Sequence, residues 1–311
     1  WTERLETAIH DGPRWGFLGG VTLSRYGDLS AGSGELPNTG YSQDNADMRF
    51  DRYFDNSVEW TIAAQTVRQQ DVPRTHKTVF SVPFHGTSVG SELRRDLDQT
   101  RDLFYSRLRW GDHKGLRDAG EVTLSLQRHA EDRDRLRSGD RRDLQGFELY
   151  DYGLTARFQT ENTHWGVWSW GSEVHHQVAD SYRRDYVGGT LTNTAIQGAI
   201  GDNSTYNSAA LYLQDEVLLS KSLSLIPGVR ASWFALESER VDNPDSSGPA
   251  VLHLDEKWSA LTGGIRGVWY VREQATVFAG LSQGFRAPNL SDLTSFDATS
   301  AVETPAPNLQ P

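Results

Sequence analysis

The chain has 311 residues, a formal net charge of −11, ten tryptophans and no cysteine. The aromatic content excludes a disordered chain, the lack of cysteine excludes disulfide staples and zinc ribbons, and the acidic balance argues against binding of nucleic acid. No run of about 18 or more apolar residues is present, which excludes a helical membrane span.

The chain begins with two predicted strands. Trp1 to His10 is the first, and the turn at 11–14 leads into the second, Trp15 to Tyr26. Within this second strand, apolar residues at positions 15, 17, 21 and 23 alternate with small or polar residues at 16, 20, 22 and 24. A period of two is typical of a strand that has one apolar and one polar side.

The same alternation continues along the chain. It predicts further strands within 45–53, 58–65, 101–110, 122–127, 150–158, 168–174, 209–235 (a hairpin), 261–270 and 275–286. Long loops are predicted at 27–44, 68–100, 129–147, 177–206 and 237–256, and short turns connect the remaining strand ends.

These segments amount to about twelve strands of about ten residues, the length that a tilted strand needs to cross a bilayer. Short turns at one end and long loops at the other are typical of outer-membrane barrels. The sequence therefore predicts an all-β fold, namely an antiparallel transmembrane β-barrel. A soluble sandwich or propeller would also alternate, but long loops after every second strand are rare in those folds.

The alternation also predicts which residues share a face of the sheet. A slip of one residue in the pairing would exchange the two faces, so the prediction is sharp. The residues expected to face the lumen are Thr22, Gln65, Thr123, Ser125 and Arg230, and those expected to face lipid are Val21, Ile62, Val122, Leu124 and Val229.

Two pairs of motifs carry a family resemblance. Gly-Phe-Arg-Ala-Pro-Asn-Leu at 284–290 is followed by Pro-Ala-Pro-Asn-Leu-Gln-Pro at 305–311, so Ala-Pro-Asn-Leu occurs twice. Upstream, Tyr-Leu-Gln-Asp-Glu at 212–216 precedes Pro-Gly-Val-Arg at 227–230. In this order the motifs resemble the barrel signature of TonB-dependent outer-membrane receptors. The residues that match the signature boxes are Phe285, Arg286, Ala287, Pro288, Asn289, Leu290, Pro307, Asn308 and Leu309.

The resemblance implies a barrel of about 22 strands around a plug. Residues 1–311 would then be part of the barrel domain, a partial barrel with the plug and the C-terminal strands outside it. In such a barrel Arg286 is expected at the lumen-facing rim, where it either anchors the loop that follows or meets ligand. We expect anchoring, because prolines and asparagines in both boxes indicate a fixed backbone.

The resemblance also implies energised uptake of a scarce nutrient across an outer membrane. An iron–siderophore-type chelate is favoured over cobalamin and haem, because the resemblance most often implies an iron chelate as cargo. Haem is the least supported of the three, because haem receptors carry a histidine between the boxes and Ser291 to Pro305 contains none. The implied partners are a TonB-type energy-transducing complex acting through the plug, a small-molecule ligand such as an iron chelate, and outer-membrane lipid and lipopolysaccharide. The alternative is a passive porin or structural barrel without an energised partner.

Several residues of the predicted loops are candidates for ligand contact. Histidines can ligate haem iron, and tyrosines mixed with arginines suit an anionic chelate. Each candidate also has a plain interpretation as a solvated loop residue. The segment Arg128 to Asp143, with six arginines and five acids, is likewise either a solvated loop or a contact for lipopolysaccharide phosphates or an anionic iron chelate. The candidates are His85, His129, Tyr182, Arg183, Arg184 and Tyr186.

No catalytic or metal-binding pattern stands out. The chain contains no His-Glu-x-x-His or phosphate-binding loop motif. Gly-x-Ser-x-Gly occurs at 86–90, in a predicted loop, and at 280–284, in a predicted strand, so neither has the strand-to-helix turn that a serine nucleophile requires. We therefore expect no enzymatic activity and no cofactor. His175 and His176 are adjacent on a predicted strand, where neighbours point to opposite faces, so this pair is not predicted to chelate one metal ion.

Overall fold

The computed structural model describes residues 1–32, 34–54, 57–83, 88–111, 119–162, 166–243, 245, 248–298 and 302–310. Within these ranges no helix is long and apolar enough to cross a membrane. The elements are β1 (Thr2–Asp11), β2 (Trp15–Tyr26), β3 (Leu29–Ala31), β4 (Gly34–Leu36), β5 (Tyr41–Phe54), β6 (Val58–Pro73), β7 (Glu92–Trp110), β8 (Ala119–Arg137), β9 (Arg141–Asn162), β10 (Gly166–Val187), β11 (Thr190–Thr194), β12 (Asp202–Ser220), β13 (Leu223–Asp242), β14 (Val251–Arg272), β15 (Ala275–Ser282), α1 (Leu290–Thr294), β16 (Asp297–Ala298) and β17 (Val302–Glu303).

One large antiparallel sheet dominates the structure. Its strands follow the order β1-β2-β5-β6-β7-β8-β9-β10-β12-β13-β14-β15, and the short β11 adds to the end of β10. This path contains the twelve strands that the sequence predicts, and the sheet does not close, because β1 and β15 remain as its two edges. The prediction of a partial all-β barrel is therefore confirmed.

The strand register confirms the predicted division into two faces. Val122 pairs with Leu108, which pairs with Trp60, whereas Thr123 pairs with Arg107, which pairs with Thr61. Directly paired residues lie on one side of a sheet, so these two rows lie on opposite sides. We call the side that contains Leu124 and Val229 the apolar face, and the side that contains Thr123 and Arg230 the polar face. Each of the ten residues assigned from the sequence lies on its predicted side.

The alternation of short and long connections is also present, but the strands reach further than predicted. β7 to β10 are 19 to 22 residues long, so the segments predicted as loops at 129–147 and 177–206 are mostly strand. We call the end of the sheet at these extensions the loop end and the other the turn end. The extensions carry charges on both sides, as in Asp132 and Arg133, and this removes the apolar–polar contrast on which the prediction depends.

A small hydrophobic core lies on the polar face at the loop end, where α1 and the segment 195–201 pack on β10, β13 and β14. Two hydrogen bonds to Thr294 hold the helix in place. Gln197 Nε2 donates to the Thr294 carbonyl at 2.7 Å, and Gly201 N donates to Thr294 Oγ1 at 2.8 Å. We call this cluster the rim core; its buried members are Ala179, Ile200, Leu236, Trp258, Ala287, Leu290 and Leu293.

Candidate ligand-binding site

Buried polar side chains, five of them charged, mark the polar face at the loop end of β7, β8 and β9. We call them the rim cluster, and they are Glu92, Arg95, Arg133, Arg135, Asp143 and Gln145. The Asp143 side chain is 0% exposed and lies 2.7 Å from Arg135 Nε and 3.3 Å from Arg133 Nη2. Because a buried charge is costly unless it is paired, these contacts are what allows the cluster to exist.

The other pairs of the rim cluster are equally direct. Arg95 donates to both carboxylate oxygens of Glu92, from Nε at 2.7 Å and from Nη2 at 2.9 Å. Arg135 Nη1 donates to the same carboxylate at 3.3 Å, and Arg133 Nη2 donates to Gln145 Oε1 at 2.6 Å. Forked contacts of this kind fix the planes of the guanidinium groups, so the cluster forms a rigid, charged wall.

A cavity of about 210 Å³ opens beside the rim cluster, and we call it the rim pocket. Its lining combines cationic and apolar side chains. Its lining residues are Arg74, His76, Arg95, Leu97, Glu131, Arg133, Gln145, Gly146, Phe147 and Ala199.

Backbone hydrogen bonds hold both margins of the rim pocket. On one margin Arg74 N donates to the Arg95 carbonyl at 2.7 Å, which ties the start of the 74–91 connection to β7. On the other, Phe296 N donates to the Ala199 carbonyl at 3.1 Å. The segment that follows the signature box thereby positions one wall of the pocket.

His76 is neutral in this arrangement. Its Nε2 lies 3.4 Å from Arg95 Nη1, and because a guanidinium group can only donate, Nε2 must accept. Partial removal of water from the ring, together with the positive charges of Arg95 and Arg74, lowers the pKa of His76 below its ordinary value. The imidazole is therefore a proton acceptor beside two cations.

Charged pairs continue along the polar face away from the rim pocket. Arg4 lies 2.8 Å from Asp47, and Arg230 lies 2.6 Å from Glu173. Near the turn end, Glu59 pairs with Arg109. The polar face is thus wettable from the loop end to the turn end, while the opposite face of the same strands is apolar.

The first signature box builds the rim core. Ala287, Pro288 and Leu290 are buried, and the Phe285 ring lies 5.9 Å from the Phe234 ring. Asn289 caps α1, because its side chain accepts from Asp292 N at 2.8 Å while the Asp292 carboxylate accepts from Asn289 N at 3.0 Å.

Arg286 completes this capping arrangement. Its Nη2 donates to Asp292 Oδ2 at 2.6 Å, although the Arg286 side chain is 72% exposed. The second box forms a turn in which Leu309 N donates to the Ala306 carbonyl at 3.1 Å, and Ala306 N donates to Leu293 of α1 at 2.9 Å. Pro307 is partly buried, and Asn308 and Leu309 are exposed.

The predicted loop residues are placed differently from expectation. His85 lies outside the described residues. His129 is in β8, and its ring packs edge-on against Phe147 at 5.3 Å. The other four candidates lie in β10, where the register puts Arg183 on the polar face and Tyr182, Arg184 and Tyr186 on the same side as the apolar band. These four therefore do not converge on one site.

Contacts within the sheet account for several of these side chains. Tyr182 Oη donates to Asp132 Oδ1 at 2.6 Å, and the Arg184 guanidinium lies 5.4 Å from the Tyr182 ring centre. Arg183 Nε donates to Asp185 Oδ1 at 3.2 Å.

The adjacent histidines of β10 behave as predicted. His175 Nδ1 lies 3.0 Å from Asp151 Oδ1 on the polar face, whereas His176 Nδ1 lies 2.7 Å from Asn207 Oδ1 on the other. In the part of the chain that the structure describes, no group of three or more His, Cys, Asp or Glu side chains could hold a metal ion.

Sequence reasoning missed the rim cluster and the rim pocket. The segment Arg128 to Asp143 is expected from the sequence to be a loop, either solvated or in contact with anions, whereas it is a hairpin of β8 and β9 that turns at 138–140. A signal was present, because Arg133, Arg135 and Arg137 recur with the period of two that a strand requires.

Comparison with known proteins identifies relatives. The family model "TonB dependent receptor-like, beta-barrel" matches residues 6–311, while no curated protein matches the chain. Among solved structures, the chain is similar to the ferric citrate transporter FecA in its unliganded form (TM-score 0.71, 11% identity, covering 90% of this chain and 40% of FecA). It is also similar to the ferric-catecholate import receptor Fiu of E. coli K12 (TM-score 0.67, 10% identity, 97% and 51%) and to the ferric yersiniabactin uptake receptor FyuA of Yersinia pestis (0.61, 12%, 96% and 47%). At these identities the likeness concerns the fold, and the chain spans about half or less of each of these proteins.

Proposed function

The chain belongs to the TonB-dependent receptor β-barrel family, and we propose that it forms part of the wall of an outer-membrane receptor that imports an iron–siderophore-type chelate by energised uptake. Receptors and transporters, rather than enzymes, make up this family. The similar proteins FecA, Fiu and FyuA take up ferric citrate, a ferric catecholate and ferric yersiniabactin, which supports a ferric chelate as the cargo class.

The polar face is the observation that carries this proposal. It begins at the rim pocket, among arginines that suit an anionic chelate, and continues through charged pairs to the turn end. On the other face of the same strands, Leu124 is 58% exposed, as suits contact with lipid. A hydrophilic cargo would follow the polar face, and outer-membrane lipid and lipopolysaccharide would contact the apolar one.

The rest of the uptake machinery follows from the family. A TonB-type complex would act on a plug domain, for which residues 1–311 supply part of the surrounding wall, and the barrel would provide selectivity rather than energy. Haem is the less favoured cargo, because the interval between the two signature boxes, Ser291 to Pro305, contains no histidine.

Uptake by the full-length receptor tests the proposal. Cells would be given labelled ferric citrate or a labelled ferric catecholate, with and without an uncoupler that collapses the proton gradient. We expect surface binding to persist and accumulation to stop under the uncoupler, with a strain that lacks the receptor as the background. Accumulation that continues unchanged under the uncoupler would identify a passive porin instead.

A further inference from the structure

We propose that the rim pocket binds one carboxylate-bearing arm of the chelate, with Arg74 as its charged contact. This inference rests on the proposed function and deepens it by naming the chemistry of the cargo that this wall recognises. The volume sets the scale, because pockets that hold a whole drug-sized ligand measure about 300 to 1,000 Å³, and the rim pocket measures about 210 Å³. It is therefore suited to one arm of a larger molecule.

The charge of the lining selects an anion. Three arginines, Arg74, Arg95 and Arg133, line the pocket against one acid, Glu131. Arg95 donates two hydrogen bonds to Glu92, and Arg133 donates one to Gln145. These two arginines are therefore already engaged in the rim cluster. Arg74 differs, since its side chain has no hydrogen bond or ion pair within the described part of the chain. An incoming carboxylate would give this guanidinium a forked partner.

The apolar part of the lining selects an arm with an apolar edge. Leu97, Phe147 and Ala199 contribute side chains that cannot hydrogen-bond. A carboxylate attached to a ring or to methylene groups would place its oxygens at Arg74 and its carbon skeleton against these side chains. A small inorganic anion would contact the cationic side chains alone and leave the apolar ones uncovered.

His76 adds a dependence on pH. The charged groups around its ring are Arg74, Arg95 and Lys77, which disfavour the imidazolium, and Glu92, which favours it. A bound carboxylate adds a negative charge beside the ring and so shifts the balance towards the protonated form. Binding and proton uptake are then linked, and affinity rises as the pH falls towards the ordinary pKa of histidine.

The test uses the purified full-length receptor and a matched pair of probes. Benzoate and its neutral isostere benzamide would be titrated by ligand-observed NMR, with empty detergent micelles as the blank. We expect benzoate to bind and benzamide to bind at least about tenfold more weakly, the loss that corresponds to about 1.4 kcal/mol. Equal affinities of the two probes would overturn the proposal.

Two pairs of variants locate the effect. Arg74→Gln should weaken benzoate binding about tenfold, as removal of a hydrogen bond to a charged group does. Arg68→Gln removes the same charge six residues earlier, from β6, at an exposed position on the other side of the sheet, and it should have no effect. If both variants weaken binding equally, general charge attraction and not this pocket is responsible.

The second pair tests the proton linkage. Wild-type affinity should rise with falling pH between 7.5 and 5.5, by at most about tenfold per unit for one coupled proton. His76→Gln keeps an acceptor for Arg95 and should remove this dependence, while His176→Gln, on the opposite face, should retain it. An unchanged pH dependence in His76→Gln would overturn the role of this histidine.

The outcomes also separate this inference from the proposed function. If benzoate binding depends on Arg74 but chelate accumulation continues unchanged under the uncoupler, the proposed role of the rim pocket is retained and energised uptake is overturned. If accumulation requires the proton gradient but benzoate binding is the same in wild type and Arg74→Gln, only the proposed role of the rim pocket is overturned.

Discussion

The side-chain amide of Gln197 donates a hydrogen bond to the carbonyl oxygen of Thr294 at 2.7 Å and so joins two segments that lie 97 residues apart. The same side chain accepts from Asp242 N through Oε1 at 2.8 Å. Gln197 and Thr294 are buried. One amide therefore fixes α1, the 195–201 segment and the end of β13 relative to one another, and Ala199 of the rim pocket lies within the segment that it holds.

Gln197→Leu should destabilise the protein by about 1–3 kcal/mol, because it leaves the Thr294 carbonyl and the Asp242 amide without their partner in a buried place. Unfolding in urea, followed by tryptophan fluorescence, measures the change. Gln65→Leu is the matched control, since Gln65 is an exposed residue of the polar face, and it should stay within about 0.5 kcal/mol of wild type. Equal effects of the two changes would show that the Gln197 contacts contribute little.

Asp143→Ala should destabilise the loop-end half of the β8–β9 hairpin by about 3–5 kcal/mol. The fully buried carboxylate is the shared partner of Arg133, Arg135 and Arg137, so its loss leaves three guanidinium groups close together. Amide hydrogen exchange along β8 and β9 would report the local opening, and urea unfolding would report the global effect.

Glu148→Gln is the control for that experiment. Glu148 forms an ion pair with Arg128, and its side chain is 41% exposed. Exposed ion pairs contribute about 0–1 kcal/mol to the free energy of unfolding. Exchange rates that are the same in both variants would contradict the distinction between the buried and the exposed pair.

Leu124→Arg and Thr123→Arg test the assignment of the two faces. The two residues are adjacent in β8 and lie on opposite sides of the sheet. An arginine on the lipid side at mid-bilayer depth should cost about 2–4 kcal/mol, while an arginine on the lumen side should cost much less. Folding of both variants into lipid vesicles, measured across a denaturant series, gives the comparison. A larger loss for Thr123→Arg would reverse the assignment.

Arg286→Ala should lower stability by at most about 1 kcal/mol, because the guanidinium is mostly exposed and such ion pairs are weak. Asp292→Ala should cost more, about 1–2 kcal/mol, because it also removes the capping box of α1. We expect both variants to retain chelate affinity, since the Arg286 guanidinium is already paired with Asp292. Unchanged unfolding together with lost chelate binding in Arg286→Ala would show that Arg286 contacts the ligand.

The contribution of Asp292 should also depend on pH. Hydrogen bonds from Asn289 N and then from Arg286 hold the pKa of this carboxyl below its ordinary value of 3.8. A depressed pKa in the folded state gives stability that is present above about pH 4 to 5 and is lost as the pH falls through the folded pKa. The difference in unfolding free energy between wild type and Asp292→Asn should therefore shrink below about pH 4. A difference that grows on acidification would contradict this sign.

The sequence by itself determined the fold class, the strand count and the two faces. In β2, β6 and β8 the apolar residues recur at every second position, because one side of each strand is apolar and the other polar. The signature boxes could likewise be identified from the sequence, since their prolines and asparagines limit the local backbone wherever they occur.

Only the tertiary structure decided where the strands end and where the candidate site lies. Beyond the apolar band both sides of β7 to β10 carry charges, so periodicity no longer separates strand from loop. Arg74, Arg95 and Arg133 come from three separate parts of the chain, and hydrogen-bonded pairing of β6, β7 and β8 brings them to one pocket. Which charges are buried follows from that pairing and from the segment laid over it, because burial depends on neighbours that are distant in sequence.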